Sequence, residues 1–454
     1  MSFPAYPGDK HSGVELLGEL PEHWTLKRFK NVFEERAERS ADGLEELLSV
    51  SAYFGIKPRS ESRDEGDHLS RAESLEGYKV CHPGDLVINI MLAWNRGLGF
   101  SWQSGIVSPA YCVFHVTDGS SPKFLDYLVR SDECIRYFKT HSAGIMDSRL
   151  RLYPESFGRL FTAIPPTCEQ TQIARFLDHE TARIDALIEE QQRLIELLKE
   201  KRQAVISHSV TKGLDPTVPM KDSGVEWLGE VPAHWGVKAL RYLGECQNGI
   251  NIGGEAFGAG SPFVSYGDVY KNDVLPAEVT GLVQSSLEDQ QRYSIEYGDV
   301  FFTRTSETVD EIGFSATCLQ ELPNAVFAGF LIRFRPTEKS LAPGFSKYYF
   351  RNQGLRIFFN KEMNLVTRAS LSQDLLKLLP VTIPPVVEQI KISDFLDRVT
   401  AEFASLLDQG IKAIDLLKER RSALISAAVT GKIDVRGWQP PARAQSPELE
   451  EEVV

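Results

Sequence analysis

Two long segments of this chain carry apolar residues at alternating steps of three and four. The first runs over 165–215 and the second over 384–434, and they align with each other without a gap. Each begins with a Pro-Pro pair and contains no further proline near its middle, so the pattern predicts helices over Glu169–Ser207 and Glu388–Ser426. Steps of three and four form a heptad seam, which is typical of a helix packed along another helix.

The predicted length of these helices indicates what they pack against. At 1.5 Å per residue each would be about 57 Å long, which few single domains can cover on one face. We therefore expect the two helices to pack on each other, although one apolar stripe against a globular core stays an alternative. The seam residues are Leu177, Ile184, Leu187, Gln191, Leu194, Leu198, Val205, Leu396, Val399, Phe403, Leu406, Gly410, Leu417 and Leu424.

Two seam positions break the apolar pattern near the middle of the helices, Gln191 in one and Gly410 in the other. In an antiparallel pair the midpoints face each other, so a small residue opposite an amide would permit a close crossing. A glycine inside a helix costs about 1 kcal/mol relative to alanine, which favours a packing reason for it. A tolerated defect is the alternative.

A shorter motif, here called the SGVE motif, is also repeated. KHSGVELLGELPEHW stands at 10–24 and KDSGVEWLGEVPAHW at 221–235, and each precedes a variable region and then one long helix. This internal repeat predicts two copies of one structural unit. The first SGVE motif has no helix before it in sequence, so we expect a circular arrangement in which Lys10–Trp24 lies near Val429–Trp438.

The two variable regions differ in sequence but share a skeleton. PGDLVIN (83–89) and YGDVFFT (297–303) each place a Gly-Asp turn before an apolar strand. The segments 121–138 and 342–359 each read as one amphipathic helix with an early proline. Both regions are therefore predicted to be strand-rich α/β domains of one type.

Unlike loops follow the matched strands, IMLAWNRGL at 90–98 and RTSETVDEI at 304–312. A shared scaffold with different loops is typical of a fold that recognises two targets. Trp94 offers a stacking face, Asn95 an amide that can pair with adenine, and Arg96 a fork that fits guanine. The candidate DNA contacts are Lys57, Arg59, Trp94, Asn95, Arg96, Arg149, Arg151, Asn248, Arg304, Thr305, Ser306 and Arg368. The alternatives are a core tryptophan, polar side chains that solvate a turn, and arginines paired with the helices.

Composition narrows the class of protein. A chain of 454 residues with 42% hydrophobic residues supports two or three domains with real cores. It has no apolar run long enough for a membrane span and no signal-peptide layout, so we expect a cytoplasmic protein without a membrane partner. The six cysteines form no CxxC pair, which predicts no zinc site. The net charge of −13 disfavours a non-specific DNA coat, although both variable regions are nearly neutral.

Catalytic motifs are missing from the sequence. The Gly-Lys at 431–432 lacks the earlier glycine of a phosphate loop and is followed by Ile433. No [ND]PP[YF] methylase motif and no Pro-Asp nuclease opening is found, and the nine histidines stand singly. We expect a chain that recognises a ligand without catalysis, and with no metal or cofactor of its own.

Three repeated stretches strongly resemble the specificity (S) subunits of type I restriction–modification enzymes: SGVEWLGEVPAHW, the PPxxEQ helix starts, and LLKEKRQAVIS with LLKERRSALIS. The resemblance covers Lys10 to about Trp438. It implies two target-recognition domains that each read half of a bipartite double-stranded DNA site, with the helices as spacer. It also implies two methyltransferase (M) subunits that bind S-adenosylmethionine, and restriction (R) subunits that use ATP and Mg²⁺.

The expected fold is therefore α/β (α+β), with two strand-rich recognition domains joined by two long antiparallel helices in an intramolecular coiled coil, pseudo-two-fold and circular. The predicted segments are an N-terminal segment 1–24 with the first SGVE motif, recognition domain 25–164, spacer helix 165–212, a linker 213–235 with the second SGVE motif, recognition domain 236–383, spacer helix 384–430 and an acidic terminal segment 431–454. Two other functions stay open: a coiled-coil adaptor that binds protein, and an enzyme with an unrecognised site.

Overall fold

The chain forms two compact units. The first comprises Met1–Gln191 with Lys412–Val454, and the second comprises Gln192–Ile411. The computed structural model describes residues 3–14, 17–52, 55–61, 74–146, 149–306, 312–337, 340–362 and 369–441. Arg368 and the acidic tail therefore lie outside the described residues. The segment boundaries given above remain predictions.

The first unit is mixed α/β. Its strands are β1 (Asp9–His11), β2 (Glu19–Pro21), β3 (Thr25–Arg28), β4 (Phe33–Glu35), β5 (Leu48–Ser51), β6 (Gly55–Pro58), β7 (Lys79–Cys81), β8 (Leu86–Asn89), β9 (Leu98–Phe100), β10 (Gly105–Val107), β11 (Tyr111–Val116) and β12 (Phe161–Ile164). Its helices are α1 (Pro122–Val129), α2 (Asp132–Thr140), α3 (Pro154–Arg159), the first part of α4 (Thr167–Lys212) and the last part of α10 (Val386–Val429).

An antiparallel sheet in the order β4-β11-β8-β9 carries the core of the first unit. Its register pairs Val113 with Val87. Phenylalanines cover one face, and the rings of Phe29 and Phe157 stack with centroids 4.7 Å apart. Aromatic side chains bury the largest apolar areas, so this cluster is the main hydrophobic contribution at that face.

The second unit repeats this plan. Its strands are β13 (Met220–Asp222), β14 (Glu230–Pro232), β15 (Gly236–Ala239), β16 (Gly244–Asn248), β17 (Phe257–Val264), β18 (Leu282–Val283), β19 (Val300–Thr303), β20 (Thr305–Ser306), β21 (Ser315–Thr317), β22 (Val326–Phe327), β23 (Leu331–Pro336), β24 (Ala369–Ser370) and β25 (Pro380–Ile383). Its helices are α5 (Tyr266–Lys271), α6 (Leu287–Arg292), α7 (Pro343–Tyr349), α8 (Gly354–Glu362), α9 (Gln373–Leu378), the last part of α4 and the first part of α10 (Val386–Val429).

The main sheet of the second unit has the order β16-β23-β19-β21, which matches the order in the first. Register pairs Phe301 with Arg333. The predicted strands after both Gly-Asp turns are confirmed as β8 and β19.

The predicted single helix over 121–138 is wrong, because the segment forms α1 and α2 with a break between them. Ser131 has extended backbone angles, and its side chain accepts a hydrogen bond from Cys134 N, so it caps a new helix. The segment 342–359 likewise splits into α7 and α8. Each pair of short helices packs against its sheet in place of one longer helix.

The long helices are confirmed, and each is a few residues longer than predicted at both ends. In the first unit, Arg421 Nε donates to Asp185 Oδ1 at 2.8 Å, and Gln172 Nε2 donates to the carbonyl oxygen of Val435 at 3.1 Å. Residues in the first part of α4 thus contact residues at or just after the end of α10, so the two helices run antiparallel. In the second unit Ile195 meets Gly410, and Gly213 meets Glu388, in the same sense.

The seam differs from the heptad pattern. Leu187, Leu194 and Leu406, all predicted seam residues, are 39%, 46% and 47% exposed. Between residues 177 and 205 of α4 the buried apolar residues are Leu177, Ile184 and Ile195, and between residues 396 and 427 of α10 they are Leu396, Phe403 and Ile414. Both sets step by seven residues and then by eleven. Eighteen residues over five turns give 3.6 per turn, the period of a straight helix, whereas strict heptads would require 3.5.

The midpoint glycine has a partner that differs from the prediction. A methyl group on Gly410 would lie 3.1 Å from Cγ1 of Ile195, so the glycine makes room for this side chain. The expected pairing of Gly410 with the Gln191 amide stays a prediction. A packing reason for the glycine, in contrast, is present.

The circular arrangement is confirmed within the first unit. Asp434 N donates to the carbonyl oxygen of Pro4 at 2.7 Å. Gly431 lies against Pro21, where an added Cβ would be 2.5 Å from Pro21 Cδ. Trp24, Val429 and Val435 share one hydrophobic cluster. The end of α10 therefore lies beside the first SGVE motif in space. The end of α4 holds the equivalent place in the sequence, directly before the second SGVE motif.

Among the residues that the structure describes, no helix is both long and apolar enough to cross a membrane.

Candidate nucleic-acid interface

Each SGVE motif and the start of the long helix that follows it form one clamp. In the first unit, Oε1 of Glu169 accepts hydrogen bonds from Trp24 Nε1 at 2.9 Å and from the Tyr6 hydroxyl at 2.5 Å. His23 Nε2 lies 2.7 Å from Oε2 of the same carboxylate. Burial and the hydrogen bond to Glu169 raise the pKa of Tyr6 above its usual range, so the phenol stays a proton donor.

The second unit repeats the clamp. Trp235 Nε1 donates to Oε2 of Glu388 at 3.1 Å, and His234 Nε2 lies 2.9 Å from the same oxygen. The His-Trp pair that ends each SGVE motif thus binds the glutamate of each PPxxEQ motif. This contact fixes each SGVE motif to the start of the long helix that follows it.

The glutamine of each PPxxEQ motif holds the next element. Oε1 of Gln170 accepts from Ser121 N at 2.7 Å, at the start of α1. Oε1 of Gln389 accepts from Ala342 N at 2.7 Å, at the start of α7. The two residues of the PPxxEQ motif therefore fix both the SGVE motif and the first short helix, which sets the orientation of the variable loops.

In the first unit, the loop after β8 lies beside the hairpin that follows α2. Leu152 N donates to the Ile90 carbonyl at 2.9 Å, which joins the two segments. Within the hairpin, Ala143 and Arg151 exchange two backbone hydrogen bonds of 2.9 Å. The segments that carry the candidates Trp94 to Arg96 and Arg149 with Arg151 are thus joined at Ile90 and Leu152.

Trp94 is neither a core residue nor a free stacking face. Its side chain is half-buried, its Nε1 donates to the Met91 carbonyl at 2.9 Å, and Lys139 Nζ lies 5.3 Å from the ring centroid. The neighbouring Asn95 is exposed. An exposed amide beside a cation–aromatic pair can form hydrogen bonds with a base edge while the cation faces a phosphate.

Arg96 has a structural role that the sequence did not indicate. It adopts the left-handed region at φ 61°, and its Nη1 donates to the Arg130 carbonyl at 2.6 Å. Its Nη2 pairs with the Asp132 carboxylate. Arg96 therefore holds the junction of α1 and α2, and the guanine contact stays a prediction that would require these bonds to open.

Arg149 and Arg151 differ in exposure. Arg149 is exposed, whereas Arg151 is half-buried and its Nη1 donates to the Leu150 carbonyl at 2.8 Å. Lys57 and Arg59 lie in and directly after β6, whose Gly55 packs against Gly99 of β9. Lys57 and Arg59 thus lie in a hairpin that is separate from the loop after β8 and from the hairpin after α2.

The second unit has the same loop pairing. Leu371 N donates to the Arg304 carbonyl at 2.8 Å, and Thr305 and Ser306 pair with Ser370 and Ala369 in β20 and β24. The segment before β24 contains Arg368, which lies outside the described residues. Asn248 ends β16, opposite Ile332, and is half-exposed.

Sequence reasoning missed three exposed apolar residues next to these loops. Ile145 and Met146 lie in the hairpin after α2, and Phe330 lies beside Arg304, whose backbone N donates to the Phe330 carbonyl at 3.0 Å. Phe330 is 63% exposed. Periodicity gives no signal for them, because loop residues follow neither the helix nor the strand period.

Each unit also has a cleft between its short helices and a long helix. In the first unit the cleft has a volume of about 1100 Å³ and is lined by Arg130, Asp178 and Arg421 among others. In the second unit Arg351 and Arg202 occupy the aligned positions. Burial lowers the pKa of the Arg130 guanidinium, and the nearby Asp126 opposes this shift. Tyr127 donates to Asp178 at 2.9 Å, which ties the helices across the cleft.

No cluster of three or more metal-ligating side chains occurs in the part of the chain that the structure describes.

Residues 235–415 match the family model described as "Type I restriction modification DNA specificity domain". The EcoKI specificity subunit of Escherichia coli K12 is 26% identical over 335 residues, which cover 72% of this chain and 68% of the relative. The StySPI specificity subunit of Salmonella potsdam is 22% identical over 81% of this chain and 77% of its own length.

Solved structures share the fold. The HsdS subunit from Thermoanaerobacter tengcongensis aligns with a TM-score of 0.56 at 17% identity, over 93% of this chain and all of the other. A chain from a structure on complex assembly and conformational transition of the type I R-M system aligns with a TM-score of 0.62 at 18% identity, over 91% of this chain and 99% of the other.

Proposed function

We propose that this chain is a specificity subunit of a type I restriction–modification enzyme, and that each of its two units reads one half of a bipartite double-stranded DNA site; the family-model match over 235–415 and the similarity to the EcoKI specificity subunit support this. One observation carries the proposal. In both units a loop after the matched strand lies against a segment that leads into a short helix, and the side chains of these loops differ. One scaffold thus presents two unlike chemical surfaces.

The half-sites should be different from each other. The first loop pair offers Trp94, Asn95 and Arg149, while the second offers Arg304, Thr305 and the exposed Phe330. Amides and guanidinium groups form hydrogen bonds with base edges in the major groove, and arginines also contact phosphates. An asymmetric site with an unspecified gap follows, because the long helices separate the two sets of loops along the sequence.

The long helices should also dock the methyltransferase subunits. Leu187 and Leu416 in the first unit, and Leu194 and Leu406 in the second, are exposed apolar residues on α4 and α10. Exposed apolar side chains that accumulate on a helix surface mark a protein contact. Two methyltransferase subunits and restriction subunits are the partners that the family implies.

We infer that this chain is not itself catalytic. S-adenosylmethionine would bind to the methyltransferase subunits, and ATP with Mg²⁺ to the restriction subunits, whereas this chain supplies sequence selection. Its place would be the cytoplasm of a bacterium or archaeon, where the proposed DNA ligand lies.

The test is a methylation map of the host genome with and without this gene. The proposal expects one asymmetric, two-part motif that is methylated only when the gene is present. In vitro, the chain purified with its methyltransferase subunit should select the same motif from random duplexes, and its affinity should fall as salt rises.

A variant with Arg149→Ala and Arg304→Ala tests the two loop pairs directly, because it removes one arginine from each. It should still assemble with the methyltransferase subunit but bind the motif more weakly. Failure of the wild-type complex to select any sequence would refute the proposal. A protein-binding adaptor would leave the methylation map unchanged when the gene is deleted.

A further inference from the structure

Two apolar side chains project from the hairpin that follows α2 in the first unit. Ile145 is fully exposed, and Met146 is 60% exposed. Such side chains lose about 1.5–3 kcal/mol of favourable burial when left in water. Their exposure side by side at one hairpin indicates that a partner covers them.

The hairpin is well defined at its base. Ala143 and Arg151 exchange two hydrogen bonds of 2.9 Å, and Arg149 N donates to the Met146 carbonyl at 2.8 Å. Ile145 and Met146 therefore lie beyond this base, within the hairpin. Leu152, directly after this base, donates from its backbone N to the Ile90 carbonyl, so the hairpin begins beside the loop after β8 that carries the first candidate DNA contacts.

Basic side chains lie in and beside the hairpin; the acidic Asp147, directly after Met146 in the sequence, lies outside the described residues. Arg149, three residues after Met146, is exposed, and Arg151 stands at the base of the hairpin. Lys139 lies over Trp94 on the adjacent loop. An apolar end with cations behind it fits a groove, in which phosphates line the edges and the apolar base stack lies inside.

We propose that Ile145 and Met146 form a wedge that enters between two base pairs at the first half-site and unstacks that step. This inference rests on the proposed DNA recognition and adds a mechanical role to it. Isoleucine and methionine are among the side chains that DNA-bending proteins insert in this way. At the offset that aligns Arg149 with Arg368, Asn364 and Leu365 stand at the positions of Ile145 and Met146, and these residues of the second half lie outside the described residues.

The wedge would serve the methyltransferase partner. An enzyme that modifies a base must take this base out of the stack, and disruption of a neighbouring step reduces the free energy that this requires. The first unit would thus select a sequence and also prepare its DNA for methyl transfer.

The experiment uses the full chain assembled with its methyltransferase subunit and the duplex that the wild-type complex selects. 2-Aminopurine, whose fluorescence rises on unstacking, replaces a base at each step of the first half-site in turn. The test variant is Ile145→Ala with Met146→Ala. The matched control is Leu287→Ala, which removes a 78% exposed leucine from α6 of the second unit.

The wild type and the Leu287→Ala control should raise the 2-aminopurine signal about threefold or more at one step. The double variant should lose this rise while it keeps the same sequence preference and the same unfolding midpoint. Its methylation rate should fall about tenfold. The reason is that the protein no longer offsets the free energy needed to unstack this base-pair step. A mismatch placed at that step should restore the rate, because the DNA is then already unstacked.

Four results would overturn the wedge. A wild-type complex that selects its site with no rise at any step, or a double variant that keeps the rise, refutes the wedge and leaves the DNA recognition intact. A double variant that no longer assembles with the methyltransferase subunit assigns the hairpin to protein docking. A wild-type complex without sequence preference removes the premise itself.

Discussion

Trp24 and Glu169 are joined by a buried hydrogen bond of 2.9 Å between the indole Nε1 and Oε1. The bond links the last residue of the first SGVE motif to the first turn of α4, and Glu169 also accepts from Tyr6 and lies within 2.7 Å of His23. Three side chains from the N-terminal segment therefore converge on one carboxylate that is only 4% exposed. The equivalent Glu388 has two such partners and is 27% exposed.

Glu169→Gln should destabilise the protein by about 1–3 kcal/mol, because it weakens charge-assisted hydrogen bonds of buried donors that water cannot reach. Glu388→Gln is the matched control and should cost less, since water can replace the lost contacts at this more exposed carboxylate. Urea unfolding followed by tryptophan fluorescence gives both values. Equal shifts for the two variants would show that the extra burial at Glu169 has no energetic consequence.

Gly410→Ala tests the close approach of the two long helices. Alanine raises helix propensity by about 1 kcal/mol, but the new methyl group would lie 3.1 Å from Ile195 Cγ1, so the two effects oppose each other. Combination with Ile195→Ala, which removes both Cγ1 and Cδ1, should make room and recover part of the propensity gain.

A double-mutant cycle of unfolding free energies measures the coupling between Gly410 and Ile195. We expect about 0.5 kcal/mol or more in favour of the double variant. Strict additivity of the two single substitutions would contradict the contact.

Five of the six thiols should react slowly with alkylating reagents. Burial raises the pKa of Cys81, Cys112, Cys246 and Cys318 to about 11 and that of Cys134 to about 12. At pH 8 a thiol of pKa about 11 is ionised to only about one part in a thousand, and the thiolate is the reactive form. The exposed Cys168 should therefore account for a single fast equivalent.

Mass spectrometry of the alkylated protein over time measures that equivalent. Cys168→Ser is the control that should remove the fast phase altogether. Two or more fast equivalents in the native protein would contradict the packing around the buried thiols.

Arg149→Ala should weaken DNA binding about equally on all sequences and reduce the slope of log affinity against log salt by about one, as loss of one phosphate contact does. The unfolding midpoint should not change, because this side chain is exposed. A binding titration at several salt concentrations measures the slope.

Arg96→Ala is the contrasting variant. Because Arg96 binds the Arg130 carbonyl and the Asp132 carboxylate, its loss should lower the unfolding midpoint. If Arg96→Ala left stability intact and changed only the preferred bases, the structural role assigned to Arg96 would be wrong.

The repeated elements were predictable because the repeat itself supplied the information. Both long helices, the placement of both SGVE motifs and the strands β8 and β19 follow from matched patterns, and the adjacency of Lys10–Trp24 to the end of α10 follows from their order. The seam was only partly predictable. A heptad template assigns Leu187 and Leu194 to the interior, whereas the helix at 3.6 residues per turn buries Ile195 instead.

The loop chemistry was much less predictable. Residue type suggested a guanine contact for Arg96, but the left-handed backbone at this position directs its guanidinium to the α1–α2 junction. Ile145 carries no polar group, so a search for hydrogen-bonding side chains passes over it. Tertiary placement of loops depends on contacts such as Leu152 with Ile90, which are distant in sequence and follow no period.

The composition of the two units has a consequence for biosynthesis. The second unit is one continuous stretch, Gln192–Ile411, while the first needs both Met1–Gln191 and Lys412–Val454. Residues that leave the ribosome first must therefore wait for the last ones, because Trp24 and Leu20 share a cluster with Val429 and Val435. At about 5–20 residues per second, the wait lasts tens of seconds. The part of the protein that is made second is thus the part that can finish folding first.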